Sequence, residues 1–144
     1  MLVHHLNLAI ETLQSLIDVT KSDITDIKQA RHENLFARLK TKEEFLGSFE
    51  NYKNLIDAHI VEMAANNSGS DLGSILSKEQ KELLDSMRNK LNELKSVNKH
   101  YAKLVIAVST FYNSLIEQIV PPKEQKSGYI GMTQRRSAML EIKA

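Results

Sequence analysis

Five histidines, a scatter of carboxylates and one Arg-Arg pair are the side chains in this sequence that could carry chemistry. The histidines are His4, His5, His32, His59 and His100. His32-Glu33 opens like a helical zinc-protease motif, but Phe36 stands where the second histidine of that motif is needed. His4 and His5 are adjacent, so on a helix they point about 100° apart and make a poor bidentate pair. Asp23, Asp26, Glu43, Glu44, Glu79 and Glu82 lie among lysines at helical spacing, which predicts a solvated face stabilised by i,i+4 pairs. Paired catalytic carboxylates need a pocket that raises one pKa, and the pattern suggests none. Gly69 and Gly73 are not followed by the Lys-Ser/Thr of a phosphate loop. Arg135-Arg136 is too small a patch for nucleic acid. With 0 Cys, thiolate metal sites, disulfides and cysteine nucleophiles are excluded. No catalytic residue, no metal ligand and no cofactor is expected, and the chain reads as a binding protein rather than an enzyme.

The elements that would position such side chains are long helices. Gly is 5 and Pro is 2 in 144 residues, too few for the many reversals of a β fold. Trp is absent, so the core must come from Leu, Ile, Val and Met. The net charge of +1 gives no global field for nucleic acid. That charge is unevenly spread. Lys123, Lys126, Arg135, Arg136 and Lys143 against Glu124 and Glu141 give residues 121–144 a net +3, leaving −2 on the remainder. No apolar run reaches the roughly 20 residues that cross a bilayer, and the first residues lack the pattern of a signal peptide. No membrane insertion is expected, and the location expected by default is the cytoplasm.

Residues 2–30 read as the first helix, with a stripe of Leu6, Ile10, Leu13, Ile17, Thr20, Ile24 and Ile27 in alternating steps of four and three. Residues 35–65 read as the second. Its stripe is Leu35, Leu39, Lys42, Leu46, Phe49, Lys53, Ile56, Ile60 and Met63, broadened on one side by Phe45 and Tyr52. Lys42 and Lys53 would lay their stems on apolar surface and reach water with the ammonium. A turn near 31–35 is the preferred break. A capping box at Thr41-Lys42-Glu43-Glu44, or one bent helix, is the alternative.

Residues 66–76 are rich in Asn, Ser, Asp and Gly and read as a loop. Ser77-Lys78-Glu79-Gln80 is a capping box that starts the third helix, 77–120, which Pro121-Pro122 stops. Its stripe is Leu84, Met87, Leu91, Leu94, Asn98, Tyr101, Val105, Val108, Tyr112, Leu115 and Ile119, and it widens past Leu104 through Ile106, Ala107 and Phe111. Asn98 interrupts the apolar line. Thr20 is a possible opposite number that would fix register, and a wet seam is the alternative. The expected architecture is all-α: long antiparallel helices in a hairpin or three-helix bundle with coiled-coil-like packing. Residues 1–120 would form one domain, and 121–144 a flexible tail that orders on a partner.

A helix, a turn with Glu33-Asn34-Leu35 and a second helix carrying Leu39, Lys42, Leu46 and Phe49 come first. A polar loop follows, then a helix with Leu91, Leu94 and Asn98, then Pro121 and a tail with Tyr129 and Gly131. This order resembles the FlgN family of flagellar type III export chaperones over nearly the whole chain. The resemblance implies a cytosolic chaperone that binds hook–filament junction (hook-associated) proteins, prevents premature assembly and delivers them to the export apparatus. It implies substrate binding through the C-terminal region, here Phe111, Leu115, Ile119, Val120, Ile130, Met132, Met139, Leu140 and Ile142. It also implies docking of Tyr129 on the export-gate membrane protein. The residue chemistry is compatible, since a mobile amphipathic segment can lay an apolar face on a partner helix. The competing expectation is a structural coiled-coil adaptor or scaffold that oligomerises through the 84–119 seam. The chaperone reading tolerates a monomer or a homodimer.

Overall fold

The structure is a computed structural model that describes residues 1–119. These form α1 (Leu2–Lys28), α2 (Leu35–Asn66), a single turn α3 (Leu72–Ile75) and α4 (Lys78–Ile119), with no strand among the described residues. The expected all-α fold of long, mutually packed helices is therefore the observed one. The chain divides into two units, Met1–Val97 and Asn98–Ala144. The first holds α1, α2, α3 and the proximal part of α4. The second begins within α4, and the segment 121–144 read as a tail lies outside the described residues.

Within Met1–Val97, α1 and α2 form an antiparallel hairpin. His5 near the start of α1 lies against His59 near the end of α2. At the other end, Asp23 and Asp26 of α1 meet Arg38 and Lys42 of α2. Proximal α4 runs in the direction of α1, because Lys90 donates to Gln14 and Lys21 pairs with Glu93. The result is an up-down-up three-helix arrangement. Its core is a cluster of Leu2, Leu6, Ala9, Leu13, Leu16, Ile17, Phe49, Ile56, Leu76 and Leu94, with Leu83, Leu84, Met87 and Val97 packed on it. Leu6, Leu13 and Ile17 are fully buried, and each such side chain contributes about 1.5–3 kcal/mol.

The seams differ from the expected stripes by one residue in places. On α1 the buried line is Leu2, Leu6, Ala9, Leu13, Leu16, Thr20, Asp23 and Ile27, with Ile17 and Ile24 beside it. On α2 it is Lys42, Phe45, Phe49, Tyr52, Ile56, His59 and Met63, all buried or half-buried, whereas Leu46 and Lys53 of the expected stripe are exposed. Phe45 and Tyr52 win this competition because an aromatic ring removes more apolar area from water than a leucine or a lysine stem.

Two expectations about charge need correction. Asp23 does not lie on a solvated face: it is 1% exposed, at the helix interface. It pairs with Lys42 and, at 3.2 Å, with Arg38, which also binds Asp26. Nor does Lys42 reach water, since its side chain is buried against Asp23. A buried carboxylate must be paired, and α2 supplies two cations for it. The Arg38 guanidinium is held charged above its ordinary range, first by its hydrogen bond to Asp26 and then by Asp23, against the cost of desolvation. Lys53 does reach water, but off the seam: it is exposed, 3.2 Å from Asp57 in an i,i+4 pair.

The break between α1 and α2 falls where the preferred reading put it. Gln29 caps α1, and Ala30 takes φ 56°, in the left-handed region. The Ala30 N–H donates to Ile27 O at 3.1 Å and the Arg31 N–H to Asp26 O at 2.8 Å, the two closing bonds of a Schellman motif. At the far end of α2, the Asn67 side chain donates to Met63 O at 2.9 Å. Gly69, at φ 89°, turns the chain. Leu76 then drops into the core. The capping box forms as the sequence predicts: Gln80 N–H donates to Ser77 Oγ at 3.1 Å, and Ser77 N–H to Gln80 Oε1 at 2.9 Å.

Candidate functional site

Distal α4, from Asn98 onward, is where the sequence places the first of the binding residues. Tyr101 and Asn113 are buried, and Leu104, Val105, Val108, Leu115 and Ile116 are half-buried. Phe111 is 61% exposed, and its neighbours Tyr112 and Ile106 are about half as open to water as free side chains. The two aromatic rings meet edge to face with centroids 6.2 Å apart. Thr110 and Ser114 turn their hydroxyls onto the carbonyls one turn back, at 2.9 Å and 3.1 Å, so neither offers its proton outward. Asn113 is 7% exposed, and its Oδ1 accepts no hydrogen bond.

Of the residues assigned to substrate binding, the structure therefore places Phe111 on the surface and Leu115 partly under cover. Ile119 is the last residue of α4. Val120, Tyr129, Ile130, Met132, Met139, Leu140 and Ile142 lie outside the described residues. Tyr112 and Ile106 were not named as binding residues. The signal for Ile106 is the widening of the stripe past Leu104, which puts apolar groups on more of the helix circumference than one seam can cover; Tyr112 stands on the expected seam itself, and the structure leaves it exposed instead.

Other regions offer less. A shallow open depression of about 280 Å³ is lined by Lys21, Ser22, Thr25, Asp26 and Arg38. Its charges are already matched, Arg38 by Asp26 and Lys21 by Glu93. No group of three His, Cys, Asp or Glu gathers as a metal site among the described residues. No described helix is long and apolar enough to cross a membrane. Thr20, weighed as a partner for Asn98, gives its hydroxyl proton to Leu16 O in its own helix at 2.8 Å.

No protein-family model matches this chain, and searches of curated proteins and of solved structures return no similar protein.

Proposed function

We propose that this protein is a binding protein for a helical partner, and specifically a cytoplasmic export chaperone for hook–filament junction proteins. In this reading it holds the partner unassembled and hands it to the export-gate membrane protein of the flagellar type III apparatus. The observation that carries the binding role is the exposure of Phe111 and Tyr112, side by side on α4 near Ile106. Aromatic side chains dominate interface energetics because they bury large area with few rotors. The narrower, flagellar reading rests on the resemblance carried by Glu33-Asn34-Leu35, Asn98 and Tyr129-x-Gly131.

The test is capture of purified junction proteins by the full chain and by a Phe111→Ser/Tyr112→Ser variant. Loss of an aromatic hot spot costs about 2 kcal/mol or more, so affinity should fall roughly 30-fold or further while helicity is unchanged. Ending the chain after Val120 should abolish capture. Undiminished binding by both variants would remove this region from the mechanism.

The scaffold reading uses the same helix for self-association. Leu84, Met87 and Leu94 are packed within the Met1–Val97 unit, so the proximal half of that seam is engaged inside its own chain. A permanent dimer in sedimentation, abolished by the Phe111/Tyr112 variant, would favour the scaffold instead.

A further inference from the structure

The hairpin of α1 and α2 is closed at one end by the Ala30 turn. At its other end two imidazoles approach each other across the interface. The His5 and His59 ring centroids are 5.3 Å apart, with the planes inclined by 31°. His4 sits beside them, its ring centre 5.6 Å from that of His5.

We propose that His5 and His59 form a two-imidazole site for a divalent transition cation of the zinc type, with water completing the shell. The site would staple the start of α1 to the end of α2. The separation fits. Metal–nitrogen bonds of about 2.0–2.1 Å at a tetrahedral angle set two ring centres about 5 Å apart. Imidazole is a ligand that suits zinc, copper and nickel, and no thiolate competes in a chain with 0 Cys. Because no third His, Cys, Asp or Glu joins the pair among the described residues, the remaining positions fall to solvent. That makes the affinity modest and the site an open one.

The rings are held by what surrounds them in sequence. His5 lies between core residues Leu2 and Leu6, and His59 is beside Ile60 and one turn from Ile56 and Met63, all of which pack in the interior. The backbones that carry the two ligands are thus fixed by burial rather than by the imidazoles. His5 Nδ1 is buried and makes no hydrogen bond, an unmet polar group on one of the two ligands. Metal binding needs the neutral ring. Desolvation first, then electrostatic repulsion from His59 and His4, lowers the His5 pKa, with an opposing pull from the Met1 backbone.

The experiment is thermal unfolding of the full, untagged chain at pH 7.5 with and without zinc chloride. At about tenfold excess over the dissociation constant, the midpoint should rise by about 3–6 °C. His59→Phe keeps the ring volume without a nitrogen and should abolish the rise, as should His5→Phe. His4→Ala should leave it in place. Each variant is compared with its own metal-free midpoint, so any loss of basal stability is accounted for. An equal rise in His59→Phe, no rise in the parent chain, or a fall caused by zinc preferring the five histidines of the unfolded chain would each overturn the proposal.

Discussion

Asp23 is the residue on which the α1–α2 interface is most exacting. Its carboxylate sits on a seam otherwise held by apolar residues and Thr20, and it is tolerated there through Lys42 and Arg38. Buried pairs lose part of their Coulomb gain to desolvation, so such a pair adds little net stability while the loss of one member is costly. Lys42→Ala or Asp23→Ala should therefore cost about 3–5 kcal/mol in denaturant unfolding. The double change Asp23→Leu/Lys42→Met should cost less than either single change, because no charge is stranded. If the double variant loses as much as the two singles added together, the pair does not act as a unit. The sequence hinted at this pairing only weakly. Lys42 is visible as a cation on an apolar stripe, but Asp23 falls outside the first helix's expected stripe and its partners lie on the next helix.

The ends of the helices were more legible than their faces. Ser77 and Gln80 announce the start of α4 because reciprocal capping is a local affair, needing only residues three apart. Ser77→Ala should lower stability by about 1 kcal/mol. The α1 terminus carries no such sign. Ala30 adopts a left-handed conformation that usually falls to glycine, and only the weak turn character of 31–35 pointed to the break. Ala30→Gly should stabilise the protein by about 0.5–1 kcal/mol, read as a higher urea midpoint at unchanged slope. Faces were harder because every helix here offers two neighbouring apolar lines. Period alone cannot choose between Leu46 and Phe45, or between Ile10 and Ala9; packing against the partner chooses. Choosing the line with Leu46 and Ile60 put His59 off the seam, which hid its approach to His5.

At the scale of the molecule, α1 is the shared element of the Met1–Val97 unit. Ten of its residues are buried against three on α2, because α1 receives α2 along one flank and proximal α4 along another. Amide hydrogen exchange should therefore be slowest in α1, with the 67–71 loop near the fast extreme. Comparable exchange in α1 and in the exposed turns of α2 would contradict that ranking. The distal surface was the least legible part of the candidate site. A widened stripe shows that more than one face is apolar, but only the structure shows that Ile106, Phe111 and Tyr112 are left in water.

The up-down-up arrangement also sets a schedule. The contact between Gln14 and Lys90 spans 76 residues, whereas the α1–α2 hairpin closes over a tight turn. On a ribosome, α1 emerges first and can pair with α2 as soon as α2 is made. The flank that receives Leu83, Met87 and Leu94 stays uncovered until those residues have been translated. For that interval the nascent chain is a two-helix hairpin with one uncovered apolar side, itself in need of protection from aggregation.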